Sequence, residues 1–320
     1  MQPIGLESGL WLTLVMLRPH HHALKGVKFM QYFLALFMFL LTSLATASQA
    51  AVPTKEFTSR ISTLESKSSG RIGVSVVSAN GTPLFSYRAN ERFAMCSTFK
   101  VLLGAAIMSR VDANIESLDR PISYKSSDIL DYAPITKDNL STGRMTVSEL
   151  NAASIQYSDN TAANLLLDAI GGPKALTEYL RSIGDNITRL DRNEPSLNTN
   201  VSGDLRDTST PNAMAETLQK ILMGDYLSPA SKEQLKVWML GNTTGDSKLR
   251  AGFDKFWIVG DKTGSGGNGA SNDVAIVFPR GLPPFIITVF YTGSAASNDT
   301  KSAVIAEVAR ITSDVLLKNR

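Results

Sequence analysis

The sequence predicts an α+β fold of two lobes, in which a helical lobe is inserted into a lobe built from both ends of the chain. Patterns typical of β-strands occupy residues 71–93 and return after residue 255. Between them, apolar residues recur with the spacing of amphipathic helices. We therefore assign residues 51–93 and 243–320 to an α/β lobe and residues 94–242 to an inserted helical lobe. The cleft between two such lobes is a common place for a ligand site, and we expect the active site there.

The first elements follow from local patterns. A helix is predicted over 55–69, where Phe57, Ile61 and Leu64 share one face. The next segment, RIGVSVVSANGTPLFSYRANERF, alternates apolar residues on either side of Asn80-Gly81. That dipeptide between two alternating runs predicts a β-hairpin.

The later elements follow in the same way. Six helices are predicted in the segments that begin at residues 97, 146, 160, 173, 210 and 228, and a last helix over 299–318. Three strands are predicted in FWIVGDKTG, NDVAIVFP and PFIITVFYTG. Residues 189–210 are polar with little periodicity and are expected to form a long loop, which is uncommon and often functional.

The first 50 residues are predicted to be an N-terminal extension and a secretory signal peptide. Residues 31–44 form an apolar run that follows three basic residues and precedes the small residues ATASQA. The run is short for an uncleaved membrane anchor, which is the alternative. Cleavage near Ala50 leaves about 270 residues with a net charge of about +1. We expect a secreted, periplasmic protein that binds no membrane after cleavage and, without a basic field, no nucleic acid.

Histidine and cysteine usage excludes several classes of hydrolase. The three histidines, His20, His21 and His22, precede the predicted signal peptide, so the mature chain has none. This excludes a Ser-His-Asp triad, a Cys-His pair and a histidine-bound zinc site. Cys96 is the only cysteine, so no internal disulfide or thiolate metal cluster can form. A hydrolase with this composition needs a lysine or a carboxylate as its base, and we expect no cofactor.

Ser97 and Lys100 stand one turn apart at the start of an apolar helical segment. In a desolvated site the pKa of the lysine falls, and the amine can take the proton of the serine hydroxyl. Backbone N–H groups at the helix N-terminus would stabilise negative charge formed there. S-x-x-K is a weak pattern by itself, and an N-cap serine with a surface lysine is the simpler alternative.

Two further segments carry residues that suit the same chemistry. In YSDN, Ser158 can pass a proton to a leaving group and Asn160 can bond an amide, although capping of the next helix by Ser158 or Asp159 is the simpler explanation. In DKTGSGGNG, Lys262 projects from the end of a strand, and the glycines allow a ligand to lie against the backbone. A glycine-rich hairpin loop is the alternative for this segment.

A carboxylate in the long loop completes the pattern. In RNEPSLN, Glu194 and Asn198 can together hold a water molecule, with the carboxylate as general base. Loop glutamates are usually only solvated surface residues. Four such patterns in this order are nevertheless far more specific than any one of them.

Together these motifs resemble the class A serine β-lactamases. The S-x-x-K, S-D-N and K-T-G elements of that family are present as Ser97–Lys100, Ser158–Asn160 and Lys262–Gly264, and the loop matches through Glu194 and Asn198. The resemblance covers residues 51–320. It implies the serine β-lactamase/penicillin-binding fold, with an antiparallel sheet flanked by terminal helices.

The resemblance implies a catalytic role for Ser97, Lys100, Ser158 and Glu194. Ser97 would attack the β-lactam carbonyl, with the backbone N–H groups of Ser97 and Ser265 as the oxyanion hole. Either Lys100, or Glu194 through a water, would remove the serine proton, and this alternative stays open. Ser158 would protonate the ring nitrogen. Glu194 with Asn198 would then activate the water that releases the product.

The resemblance also implies which residues bind the substrate. They are Tyr132, Asn160, Asn198, Lys262, Thr263, Gly264 and Ser265. The substrate carboxylate would lie against Lys262, Thr263 and Ser265, and its side-chain amide against Asn160 and the backbone of Ser265. Tyr132, in LDYAP, matches an aromatic position at the rim. A pair formed by Arg192 and Asp207 would keep Glu194 in place.

The substrate range is inferred from two segments. DKTGSGGNGASND and GNTTGDSKLRAG are most similar to the CTX-M-like branch, which hydrolyses oxyimino-cephalosporins. A carbapenemase braced by a disulfide is not expected, because Gly266 offers Cys96 no partner.

The sequence departs from the family near the carboxylate subsite. Ser271 and Lys248 stand where many members carry an arginine, and Lys301 in the last helix is a third source of charge. This departure bears on substrate affinity more than on the reaction.

Two rival functions share the first three motifs: a penicillin-binding D,D-peptidase and a penicillin sensor that stays acylated. Both generally lack the deacylating glutamate, so Glu194 favours hydrolysis. We expect a monomeric β-lactamase that acts on penicillins and cephalosporins as small-molecule substrates and confers β-lactam resistance.

Overall fold

A five-stranded antiparallel sheet joins early and late segments of residues 54–318, the part of the chain that the computed structural model describes. The strands are β1 (Arg71–Ser78), β2 (Pro83–Tyr87), β3 (Phe93–Ala94), β4 (Pro121–Ser123), β5 (Arg144–Thr146), β6 (Thr208–Ser209), β7 (Ile258–Ser265), β8 (Ser271–Phe278) and β9 (Phe285–Thr292). The helices are α1 (54–68), α2 (Phe99–Asp112), α3 (Pro134–Asp138), α4 (Val147–Gln156), α5 (Asn160–Ile170), α6 (Gly172–Ser182), α7 (Pro211–Leu222), α8 (Pro229–Leu240), α9 (Leu249–Gly252) and α10 (Asn298–Lys318). Short 3-10 turns occupy Cys96–Thr98, Ser126–Asp128 and Ser196–Asn198.

The strand order β2-β1-β9-β8-β7 places β1, from the start of the described chain, beside β9, from its end. All eight residues of β1 pair with β9, from Arg71 opposite Thr292 to Ser78 opposite Phe285. The β1–β2 hairpin turns at Asn80-Gly81 as predicted, with Gly81 at φ +84°. Strand β7 is left at the edge of the sheet, where one side of its backbone is available to other elements.

One face of the sheet packs against the two terminal helices. On β1 the alternate residues Ile72, Val74 and Val76 are fully buried and belong to the same apolar cluster as Phe57 of α1 and Ile305 of α10. Each such side chain contributes about 1.5–3 kcal/mol when fully buried. Apolar residues that recur every second position in the strand and about every fourth position in the helices therefore meet in one interface between the sheet and the terminal helices.

The helical segments pack around α2, which is buried from Phe99 to Met108. A helix that is apolar on all sides must lie inside the protein, and here α4, α5 and α8 surround it. Helix α7 lies within the range predicted to be the helical lobe, yet it packs against β1 and β9. The lobe boundaries themselves stay a prediction.

The predicted α+β fold with an antiparallel sheet is confirmed. The predicted helices are also found close to their expected positions, the first at 54–68 instead of 55–69. The long loop 189–210 contains a 3-10 turn and the short strand β6, which pairs with β3. These elements, like α3, are too short to produce a readable period in the sequence. The predicted signal peptide, residues 1–50, lies outside the described residues.

Candidate active site

Ser97 lies in the 3-10 turn Cys96–Thr98 that leads directly into α2. Cys96 adopts φ +48°, which is unusual for a residue with a side chain, and the turn is closed by Thr98 N–H and Oγ1 donating to Met95 O at 3.3 and 2.9 Å. Strand β7 passes so close that a Cβ on Gly264 would lie 2.7 Å from Met95 O. The glycine of K-T-G is therefore required for β7 to approach the serine.

Lys100, in the first turn of α2, is completely buried but not unpaired. Its Nζ donates to Asn160 Oδ1 at 2.6 Å and to the backbone oxygen of Ser158 at 2.8 Å, and lies 3.1 Å from Glu194 Oε1. Burial lowers the pKa of Lys100 from its usual value, while the charge of Glu194 acts in the opposite direction. Three acceptor atoms from two segments thus offset the cost of burying the charged form of this amine.

Glu194 is the point where the serine, the lysine and the long loop meet. Its Oε1 accepts a hydrogen bond from Ser97 Oγ at 3.2 Å, and its Oε2 accepts one from Asn198 Nδ2 at 2.5 Å. The carboxylate is nearly inaccessible to solvent. Asn198 Oδ1 is buried and has no hydrogen-bond partner among residues 54–318, so it can accept a bond from a water beside the carboxylate.

The backbone of Glu194 is held by a residue that the sequence analysis did not identify. Asn164, on α5, accepts from Glu194 N–H through Oδ1 and donates from Nδ2 to Glu194 O, both at 3.0 Å. Asn164 stands four residues after Asn160 and so lies on the same face of that helix. The spacing could have suggested it, but only the folded loop shows what it contacts.

Ser158 and Lys262 form the opposite wall. Ser158 adopts φ +59°, and its hydroxyl lies 3.0 Å from Lys262 Nζ and 3.4 Å from Lys100 Nζ. Lys262 also donates to Thr263 O at 2.8 Å. Burial, together with the charge of Lys100, lowers the pKa of Lys262 to about 7. Both lysines thus converge on one hydroxyl group.

Asp159 acts as the N-cap of α5 and also shapes the rim. Its Oδ1 accepts from Ala162 N–H at 2.8 Å, and its carboxylate also accepts from the backbone N–H groups of Ile135 and Thr136. The segment that carries Tyr132 is thereby tied to α5, and Asn160 N–H donates to Tyr132 O at 3.0 Å. Tyr132 is 52% exposed. The capping interpretation of S-D-N is therefore correct for Asp159, while Ser158 and Asn160 of the same motif line the cavity described below.

The predicted pair between Arg192 and Asp207 is confirmed. Arg192 Nε lies 2.5 Å from Asp207 Oδ2, and Oδ1 of this fully buried carboxylate accepts from the backbone N–H groups of Asp191 and Arg192. A carboxylate at the end of the loop thus binds the backbone at its beginning. The loop is closed on itself around Glu194.

A buried charged cluster lies beneath β7 and was not expected. Asp261 accepts from Arg250 Nε and Asn242 Nδ2, both at 2.6 Å. Asp273, on the adjacent strand, is fully buried, and burial together with the Asp261 carboxylate raises its pKa well above the usual value. Lys248 lies in the same cluster, and its Nζ donates to Asn272 O at 3.1 Å.

These elements enclose a cavity of about 440 Å³. It is lined by Ser97, Tyr132, Ser158, Asn160, Asn198, Thr244, Ser247, Lys248, Thr263, Gly264, Ser265, Asn298, Asp299 and Ser302. Lys248 is the basic side chain in this lining, and Thr263 is held by a 2.5 Å hydrogen bond to Thr244. The structure thus places every predicted site residue except Lys100, Glu194 and Lys262 on the cavity wall, and those three directly behind it.

The comparisons with known proteins agree with this geometry. A family model described as "Beta-lactamase enzyme family" matches residues 56–316. The chain belongs to this β-lactamase family. The β-lactamase CTX-M-8 of Citrobacter amalonaticus is 44% identical over 80% of this chain and 87% of its own length. OXY-2 of Klebsiella oxytoca is 43% identical over 80% and 88%.

Solved structures give the same result. An ancestral (GNCA) class A β-lactamase is 53% identical and matches with a TM-score of 0.79, covering 81% of this chain and 99% of its own. The predicted family is confirmed, and with it a serine β-lactamase activity.

Two negative findings apply to the part of this β-lactamase that the structure describes. Between residues 54 and 318 no three His, Cys, Asp or Glu side chains are grouped so that they could hold a metal ion. No helix in that range is both long and apolar enough to cross a membrane.

Proposed function

We propose that the chain hydrolyses β-lactams through an acyl-enzyme on Ser97 that is released by a water held between Glu194 and Asn198. The observation that carries the proposal is the position of the Glu194 carboxylate, with Oε1 on the Ser97 hydroxyl at 3.2 Å and Oε2 on Asn198 at 2.5 Å. One carboxylate is thus within reach of both the nucleophile and the water site. This is the geometry that a general base requires.

In acylation, Ser97 Oγ attacks the β-lactam carbonyl carbon and passes its proton to Glu194, directly or through a water. Lys100 Nζ lies 3.1 Å from the same carboxylate oxygen, where its ammonium form stabilises the ionised Glu194. Burial lowers the pKa of Lys100, so its amine is the alternative acceptor for the serine proton. The backbone N–H groups of Ser97 and Ser265, both at the cavity wall, stabilise the oxyanion.

Opening of the ring requires a proton on the leaving nitrogen. Ser158 supplies it, because its hydroxyl faces the cavity and lies within hydrogen-bond distance of Lys262 Nζ. The lysine can replace the proton that the serine gives up. The hydroxyl group therefore works as a relay, with two buried amines behind it.

Deacylation uses the other side of the same carboxylate. A water that donates to Glu194 and to Asn198 Oδ1, which has no partner among residues 54–318, is held beside the ester carbonyl, and the carboxylate removes its proton as it attacks. A D,D-peptidase or a penicillin sensor has no use for such a base. The position of the Glu194 carboxylate against Ser97 therefore favours hydrolysis over both rival functions.

The substrate carboxylate binds at the end of β7. Thr263 and Ser265 line the cavity there, Lys262 lies behind them, and Lys248 supplies the charge that an arginine supplies in many relatives. Lys301 does not line the cavity, so it is the weaker of the two sources of charge. Asn160 and the backbone of Ser265 bind the side-chain amide of the substrate. Gly264 has no side chain that would block the approach of the substrate to Ser97.

The finer points of function rest on the sequence. We propose penicillins and cephalosporins as substrates, including oxyimino-cephalosporins, on the resemblance of residues 241–252 and 261–273 to the CTX-M-like branch. We further propose that the enzyme is exported to the periplasm, works as a monomer and needs no cofactor. The apolar run at 31–44 supports export.

The test is a time course of intact mass with benzylpenicillin and then with cefotaxime. The wild-type protein should open every molecule of drug and show brief acylation at Ser97. Glu194→Ala should still be acylated but should release the product far more slowly. Rapid turnover by that variant would refute the role of Glu194, and a stable wild-type adduct with intact drug remaining would indicate a peptidase or a sensor.

A further inference from the structure

The loop that carries Glu194 does not stand alone but is joined to the sheet at the β7–β8 turn. Gly267 N–H donates to Asn198 O at 2.7 Å. Asn200 Nδ2 donates to Gly267 O at 2.9 Å and to Thr292 Oγ1 at 2.8 Å. One side-chain amide thus binds both the turn and the end of β9.

The turn is glycine-rich because its backbone packs directly on the backbone of the loop. A Cβ on Gly266 would lie 2.7 Å from Asn198 O, and a Cβ on Gly267 would lie 2.4 Å from Thr199 O. Neither glycine lines the active-site cavity. Gly264 lines the cavity, whereas Gly266 and Gly267 allow the contact with the loop.

The anchor point on the sheet is itself fixed. Thr292 Oγ1 donates to Asn268 O at 3.2 Å, and Gly293 N–H donates to the same oxygen at 2.8 Å. Asn200 adopts φ +48°, a conformation that asparagine tolerates better than most residues. Its backbone is thus set so that both amide hydrogens reach across to the sheet.

The contact between the loop and the β7–β8 turn lies close to Oε2 of the Glu194 carboxylate and not to Oε1. Glu194 Oε1 is held by Ser97 and Lys100, and the Glu194 backbone is held by Asn164. These contacts do not involve the turn. Oε2 is held by Asn198, two residues before Asn200, and Asn198 O is the acceptor for the turn.

We propose that Asn200 is a positioning residue for deacylation: by clamping the loop to the β7–β8 turn and to β9, it fixes Asn198 beside Glu194 Oε2. The proposal rests on the proposed function and adds to it the element that sets the water site. Loss of the clamp leaves the Oε1 side in place, so acylation continues. It displaces the amide that shares the water, so hydrolysis of the acyl-enzyme slows.

The decisive variant is Asn200→Gly, which permits the left-handed backbone and removes the side-chain amide. Acylation is followed by rapid quenching and intact mass, and release is followed as decay of the Ser97 adduct after excess benzylpenicillin is removed. We expect release to slow about tenfold, since small displacements of a positioned group cost one to two orders of magnitude. The acylation rate should stay within about twofold. Thr292→Val removes one of the two acceptors and should slow release in the same direction by a smaller factor.

Ser202→Ala, an exposed position in the same loop, is the matched control and should release product at the wild-type rate. An unchanged release rate in Asn200→Gly, or equal slowing of acylation and release, would overturn the clamp. If Asn200→Gly does not fold, Thr292→Val decides by the same two rates. A wild-type protein that never forms or discharges an adduct on Ser97 would refute the proposed function instead, which separates the two failures.

Discussion

Replacement of Asn164 by alanine tests how strongly the catalytic loop is held to α5. The change removes two hydrogen bonds of 3.0 Å, one to Glu194 N–H and one to Glu194 O, and supplies nothing in their place. A neutral hydrogen bond contributes about 1 kcal/mol net, and a half-buried group left without its partner costs more. Together these terms give a loss of about 2 kcal/mol in the free energy of unfolding. For a domain of this size that corresponds to a fall in Tm of about 4 °C.

The assay is thermal unfolding together with the release rate of the Ser97 acyl-enzyme. Asp168→Ala, at an exposed position of the same helix, is the control and should change Tm by little. Asn164→Asp keeps an acceptor for Glu194 N–H but directs a carboxylate oxygen at Glu194 O, so it should be no more stable than Asn164→Ala. A Tm for Asn164→Ala equal to that of Asp168→Ala would refute the reasoning, because the two hydrogen bonds from Asn164 to the Glu194 backbone would then contribute nothing to stability.

Three further predictions follow from the site. Ser97→Ala should abolish covalent labelling by penicillin in intact-mass spectra, and persistent labelling would contradict the nucleophile assignment. Lys248→Ala should raise KM for benzylpenicillin at least several-fold and leave KM for its uncharged ester unchanged, whereas equal effects on both would exclude a role for the charge. Asp273 has a raised pKa in the folded state, so the folded protein holds a proton that the unfolded chain releases, and stability falls as pH rises above about 4. Asp273→Asn should flatten this fall in urea titrations carried upward from pH 4, and an unchanged slope would show that Asp273 does not hold the proton.

The sequence predicts the long elements of the fold well because their signals are local. Helix α5 and strands β8 and β9 repeat apolar residues over eight or more positions, and the Asn80-Gly81 turn has few alternative conformations. Short elements such as β6 carry no such repeat. Their position is set by partners distant in sequence, here β3, which no local pattern reveals.

The site was predictable as a set of motifs but not as a set of contacts. Ser97, Ser158, Glu194 and Lys262 could each be explained by a simpler structural role, and only their combination pointed to one reaction. The residues that hold them were missed, because Asn164 acts through backbone atoms of a loop far along the chain.

The buried cluster under β7 shows a second limit. Asp273 belongs to the segment that resembles the CTX-M-like branch, but the resemblance does not show its partner. Strand pairing does: Thr263 lies opposite Asp273, which places the carboxylates of Asp261 and Asp273 diagonally on adjacent strands. Arg250 and Asn242 approach from a different segment. Compensation of a buried charge depends on residues that are neighbours in the fold, and the sequence alone does not show which residues these are.

The two buried lysines, finally, differ in how their charge is compensated, and this difference is measurable. Lys100 faces the Glu194 carboxylate, whereas the acceptors of Lys262 among residues 54–318 are the neutral oxygens of Ser158 and Thr263. With a pKa of about 7, Lys262 is mostly neutral at pH 8 in the free enzyme.

A bound substrate carboxylate favours the ammonium form of Lys262, so binding must take up a proton at that pH. Calorimetry of benzylpenicillin binding to Ser97→Ala, in buffers of different ionisation enthalpy, should show clearly greater proton uptake at pH 8 than at pH 6. Adding Lys262→Arg, whose guanidinium is always charged, should remove the uptake. Uptake at pH 8 that persists in the arginine variant would assign the proton to another group, and no uptake in the parent would mean that Lys262 is already charged before substrate arrives.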